Sequence, residues 1–222
     1  MLNRREFTNS ITIAGISPFF MKTSEFLNSN KGFIASLNPG AIGLKCNAHE
    51  LLDYAIEYKF SAISPLLGDL IKFNEEERKT YLSKMQINKI EFDSGGLPIN
   101  FRSTETKFLE GFKFLNKHLK TISSFKIPSF VTWIMPTHKS LTYRQNFEQH
   151  HNRLSKVANV LEQEGLKLGL EYVGPKTLMV RDKYPFLHTI GGLRELIDAI
   201  GKKNVGYLLD SFHTHCAEDK LD

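Results

Sequence analysis

Leu168-Gly169-Leu170-Glu171-Tyr172-Val173-Gly174-Pro175 is an apolar run with one carboxylate near its end. Further along, Val205-Gly206-Tyr207-Leu208-Leu209-Asp210-Ser211-Phe212-His213 repeats the pattern. Continuous apolar runs of this length, closed by Gly-Pro or by polar residues, read as strands buried on both faces of a parallel sheet. A carboxylate is costly to bury there unless a cation or hydrogen bonds compensate it, and the carboxyl ends of parallel strands form the rim where ligands sit. Taken singly, Glu171 or Asp210 reads equally well as a cap for the following segment or a partner for a surface lysine. Two carboxylates placed alike on successive units point instead to one shared metal site.

Working outward, strand-like and helix-like segments alternate from residue 40 onward. The expected strands are 41–46, 60–64, 87–92, 129–135, 167–173 and 205–210, with amphipathic segments between them. Phe108, Phe112, Leu115, Leu119 and Ile122 recur at steps of three and four, the spacing that lines one face of a helix. Phe147, Leu154, Val157, Ala158 and Leu161 do the same, as do Leu193, Leu196, Ile197 and Ile200. Asn47-x-x-Glu50 and Asn74-x-x-Glu77 are capping-box signatures at helix starts. Gly191-Gly192 lacks the strand-GxGxxG context of a dinucleotide site. This alternation predicts an α/β fold with a parallel sheet under helices. Two architectures compete: a doubly wound open sheet, complete with about six strands, and a (β/α)₈ barrel of typically about 250 residues, which needs two further units.

The 222 residues and 41% apolar content suffice for one domain with a large core. The net charge of +5 includes +2 from Arg4, Arg5, Glu6 and Lys22, and no basic run interleaved with aromatics suggests a nucleic-acid surface. Cys46 and Cys216 form neither a CxxC pair nor a metal-ligand spacing. Asn3-Arg4-Arg5-Glu6-Phe7 precedes a mildly apolar run, Ile11 to Met21, that is too short to span a bilayer but suits the core of a twin-arginine export signal. Residues 1–36 are therefore expected to be a signal-like or disordered segment and residues 37–222 the catalytic domain, periplasmic or exported if the signal works and cytoplasmic otherwise.

Further motifs are Gly96-Leu-Pro-Ile-Asn-Phe-Arg102, Thr132-Trp-Ile-Met-Pro136 and Tyr143-Arg-Gln-Asn-Phe147. Together with the two opening stretches they resemble the sugar phosphate isomerase/epimerase proteins of the xylose isomerase-like TIM-barrel superfamily, from about Ile42 to Asp222. The resemblance implies a (β/α)₈ barrel of the xylose isomerase-like type, truncated here after about six βα units. It implies a divalent metal ion (Mn²⁺, Mg²⁺ or Zn²⁺) held by Glu171 and Asp210, with Glu171 also one half of a catalytic acid/base pair. His213 would contact the substrate. The family's later His and Glu ligands have no counterpart before residue 222, so this chain alone is expected to bind metal weakly and turn over little. His215 is a poor stand-in for the absent His, being on a loop rather than a strand.

The implied reaction moves a proton beside a sugar carbonyl through an enediolate. Trp133, near a strand end, would stack on a sugar ring unless it is core, and Lys176 would meet a phosphate or carboxylate unless it is simply solvated. His188 reads as structural, and Glu91 and Asp93 as turn and rim residues beside Gly95-Gly96. The expected partner is a small sugar or sugar phosphate, with no nucleic acid and no stable membrane span. Oligomerisation is left open, because an incomplete barrel has unpaired edges, expected at 41–46 and 205–210. The competing functions are a metal-dependent abasic-site endonuclease of the same fold and an inactive truncated barrel serving as a scaffold.

Overall fold

The computed structural model describes residues 34–220, so nearly all of the signal-like segment lies outside the described residues. The wall of the fold is built from short parallel strands: β1 (Ser36–Leu37), β2 (Ala62–Ile63), β3 (Glu91–Phe92), β4 (Gly95–Gly96), β5 (Ser129–Ile134), β7 (Lys167–Tyr172) and β9 (Val205–Tyr207). β1 pairs with β2 and β2 with β3; β4 pairs with β5, β5 with β7 and β7 with β9, all parallel. Because β3 and β4 are two ends of one extended segment, 91–96, that hands its pairing from β2 to β5, the wall has six positions in strict chain order. A doubly wound sheet reverses strand order at a switch point. Sequential parallel order is that of a β/α barrel, and six of its eight wall positions are described.

Helices cover one side of this wall: α1 (Ala48–Glu57), α2 (Leu67–Leu70), α3 (Glu75–Ile87), α4 (Glu105–Ser123), α5 (Tyr143–Gln163), α6 (Lys176–Met179), α7 (Ile190–Ile200) and α8 (Ser211–Ala217). Phe108, Leu115, Leu119 and Ile122 of α4 and Leu154, Val157, Ala158 and Leu161 of α5 are buried, while Phe112 and Phe147 sit at the margins of their stripes. They pack on Phe130 and Ile134 of β5 and Leu168, Leu170 and Tyr172 of β7. Full burial stabilises each such side chain by about 1.5–3 kcal/mol. Asn47 makes the complete capping box with Glu50. Asn74 caps α3 by one bond, from the Glu77 amide. Thr104, Thr142 and Thr189 cap α4, α5 and α7.

Three expected strands move. The first is Ser36–Leu37 rather than 41–46, where Pro39-Gly40 and the left-handed Gly43 (φ 70°) instead shape a 3-10 turn and a loop. The barrel wall thus begins inside the segment expected to precede it. Ile87 closes α3 instead of opening a strand, and Gly95-Gly96 is paired strand rather than turn. The last strand ends at Tyr207, three residues before Asp210. The edges of the described wall are accordingly β1 and β9, and Tyr207, Leu209 and Phe212 leave an exposed apolar strip beside β9. A small antiparallel pair, β6 (Thr137–His138) with β8 (Tyr184–Pro185), ties together the loops that follow β5 and β7.

Candidate metal centre

Side chains alternate across a strand. Leu170 and Tyr172 are buried under the helices, so Glu171 between them faces the barrel interior, in register with Trp133 of β5. Asp210 reaches the same place from the loop after β9. Its Oδ1 accepts from the amides of Phe212 (2.7 Å) and His213 (3.2 Å), so Asp210 is the N-cap of α8 with its second oxygen left over. Capping and ligation, alternatives on the sequence, are compatible in one carboxylate, since the cap uses Oδ1 and leaves the other oxygen available.

That cap sets the first turn of α8 and with it His213. Tyr172 donates its hydroxyl to Thr214 Oγ1 (3.2 Å), and Thr214 donates to the Asp210 carbonyl (2.9 Å), pinning the turn to the end of β7. From the other side Gly174 closes in: a Cβ there would lie 2.1 Å from the His213 carbonyl oxygen, so only glycine lets this loop pass. The outcome is that Glu171, Asp210 and His213 each bring one ligand atom within 4.8 Å of the others.

The electrostatics suit a cation. Burial pushes the Glu171 carboxyl above its usual range; the imidazole of His213 opposes that, and the like charge of Asp210 adds to it. His213 Nδ1 is buried with no hydrogen-bond partner. Two carboxylates and an imidazole with an orphaned nitrogen form a donor set that fits a divalent Mn²⁺, Mg²⁺ or Zn²⁺.

The other expected site residues are distributed differently. Trp133 stands at the rim, 49% exposed, and is therefore not core. Above its ring lies the Arg102 guanidinium, 4.2 Å from the centroid, with Nη1 donating to Thr132 Oγ1 (3.1 Å) and to the Trp133 carbonyl. Lys176 is turned into an ion pair with Glu218, so its charge is already engaged. His188 donates Nδ1 to the Phe186 carbonyl (2.9 Å), a local structural bond. His215 lies exposed on α8, outside the cluster. Asp93 binds the ends of three wall strands, its Oδ2 accepting from Ser36 Oγ and from Ser64 Oγ (2.9 Å). Arg102 went unassigned on the sequence. The available signal was an Arg after an aromatic in the loop following a strand, with a lone Trp on the next strand to stack against.

Parallel strands in chain order, carrying an acidic and histidine cluster at their carboxyl-end rim, define a β/α barrel with a metal-type site. The chain belongs to the xylose isomerase-like TIM barrel family, whose sequence profile matches residues 52–222. It is similar to an inosose isomerase of Bacillus velezensis, 21% identical over 175 residues that cover 78% of this chain and 50% of that protein. The chain spans 32% and 50% of the length of the two inosose isomerases it matches. Among solved structures it resembles a xylose isomerase domain protein from Alicyclobacillus acidocaldarius (25% identity, TM-score 0.71, covering 84% of this chain and 66% of that one). It also shares the fold of the IolI protein with a bound zinc atom (18% identity, TM-score 0.66, covering 85% and 66%). No helix among the described residues is long and apolar enough to cross a membrane.

Proposed function

We propose that this chain carries the metal and acid/base half of a sugar or sugar-phosphate isomerase or epimerase. The observation that carries the reading is the convergence of Glu171, Asp210 and His213 from two successive strand ends. Support comes from the name of the inosose isomerase relative and from the zinc in IolI. A divalent ion held by these residues would stabilise the negative charge that develops on a sugar oxygen when the neighbouring carbon loses its proton.

The chain's own residues supply the rest. Glu171 is both ligand and proton acceptor, placed on the barrel interior beside the other two donors. Asp210, fixed by its role as a helix cap, supplies charge without freedom to move. His213 closes the cradle and contacts the sugar. Trp133, flanking Glu171 on the adjacent strand, offers its exposed face to a sugar ring, and Arg102 behind it holds the ring in place.

Proton exchange needs only a base and a charge stabiliser, so it tests this half of the chemistry directly. In D₂O with Mn²⁺, the chain should wash deuterium into the carbon beside the carbonyl of an inosose or ketose, followed by NMR, and E171Q should abolish it. Exchange that persists in E171Q would remove Glu171 from the role.

A further inference from the structure

Beside the carboxylate rim lies a cavity of about 320 Å³, between the loops that follow β4, β5 and β7 and the N-terminal half of α5. A chain of contacts links it to the carboxylate cluster: Glu171 pairs in register with Trp133, Trp133 carries Arg102 on its ring, and Arg102 lines the cavity. Asn146 and His150 of α5 form its inner wall, each 2% exposed. Each keeps a buried polar atom without a partner, Asn146 Oδ1 and His150 Nε2.

The protonation of His150 follows from its contacts. Its Nδ1 is 2.8 Å from the Asn146 carbonyl, which can only accept, so Nδ1 carries the proton. Burial holds the ring pKa down to about 4, so near neutral pH the ring is uncharged and Nε2 is a bare lone pair. The inner wall thus offers the bare acceptor of His150 and the side-chain amide of Asn146, whose oxygen accepts and whose nitrogen donates. Toward the mouth the sign reverses. Arg102 and Lys139 line it as cations, while Arg181 is neutralised by Asp182, whose Oδ2 it contacts at 3.0 Å. An inorganic anion alone would set its lone pairs against that of His150 Nε2. A ligand with hydroxyl groups at its inner end, which both donate and accept, and an anionic group at the mouth matches this lining.

We propose that this cavity is a second subsite, which takes a polyhydroxylated acid: hydroxyls donate to His150 Nε2 and pair with the Asn146 side-chain amide, and a carboxylate or phosphate binds Arg102 and Lys139. It rests on the sugar reading of the rim and deepens it, because a substrate spanning both places would be a sugar acid or sugar phosphate with its reacting carbon at Glu171.

Trp133 is the sole tryptophan and touches Arg102, so its fluorescence reports the subsite. The full chain is titrated in EDTA, which silences the metal centre, with gluconate, glucose 6-phosphate, glucose and inorganic phosphate. Saturable emission changes are expected with the two polyhydroxylated acids, and their relative strength tells carboxylate from phosphate. Neutral glucose and inorganic phosphate should bind at least tenfold more weakly. K139A changes an exposed side chain and leaves the core intact; it and N146L should each weaken the acids about tenfold, whereas D210N should not. Equal binding of glucose and the acids, or acid binding untouched by K139A and N146L, would overturn the subsite. Acid binding lost in D210N alone would place the ligand at the rim only and would overturn the subsite equally. Failure of the chain to bind Mn²⁺ would instead sink the proposed function and leave the subsite standing.

Discussion

On β5 and β7 successive side chains go to opposite faces, and the two faces obey different rules. Phe130, Thr132, Ile134, Leu168, Leu170 and Tyr172 are buried beneath helices, whereas Trp133 and Glu171, on the interior face, stand at the carboxyl-end rim in contact with solvent. The same two strands therefore hold the domain together on one side and expose its chemistry on the other. Neighbours in sequence should respond oppositely to substitution, since stability resides in the dry face and binding in the wet one.

The largest effect is expected from the dry face. Leu170→Ala removes a fully buried side chain and should cost about 2–5 kcal/mol in urea unfolding. Glu171→Gln, one residue on, should cost nothing. Equal losses at both positions would erase the distinction between the faces.

His150 sharpens the comparison, because it is a buried polar group on the edge between the two regions. Its folded pKa, about 4, lies below the usual 6.5, so its contribution is complete above pH 6.5 and is lost as pH falls toward 4. The loss should be on the order of 3 kcal/mol. Urea unfolding at pH 7 and pH 4.5 should show a smaller acid-induced loss in His150→Leu than in the parent. An identical pH slope would mean that His150 charges freely in the folded state.

Gly174→Ala tests the join between the faces. The added methyl has no room against the His213 carbonyl, so α8 must shift, at about 1–3 kcal/mol. Divalent-metal affinity should fall along with stability, whereas Leu170→Ala protein that is still folded should retain it.

These contrasts also show what the sequence could reveal. The helix stripes, β5, β7 and the Asn47 capping box were legible because each is a local pattern of period or spacing read within one segment. The (β/α) barrel class and the pairing of Glu171 with Asp210 were legible from the family resemblance and from like placement on successive units. The first strand was not, because only two residues pair and the more apolar run after it is broken by Pro39, Gly40 and Gly43. Arg102 on Trp133, Lys176 on Glu218, and the His150 and Asn146 wall were hidden for a different reason. The first two depend on side chains far apart in the chain meeting across loops, and the third, an i, i+4 pair on one helix, gains its meaning only from the loops that close the cavity over it.

The smallest effect belongs to the wet face. The folded pKa of Glu171 is raised, so its favourable contribution exists below the ordinary carboxylate pKa and is lost as pH rises through the folded value. At pH 7 in EDTA the ionised carboxylate is therefore a burden, and E171Q should melt about 1–2 °C higher than the parent. A lower melting temperature would show that Glu171 is held by the fold rather than poised for a ligand.

The central claim is that Glu171, Asp210 and His213 together form a cation site, and calorimetric titration with Mn²⁺ tests it most directly. The parent should bind one equivalent, more tightly as pH rises and Glu171 loses its proton. E171Q should weaken binding at least about tenfold, and so should D210N, in which Asn preserves the α8 cap while removing the charge. Binding of Mn²⁺ with the same affinity in the parent, E171Q and D210N, or no binding by the parent at any pH, would contradict the account.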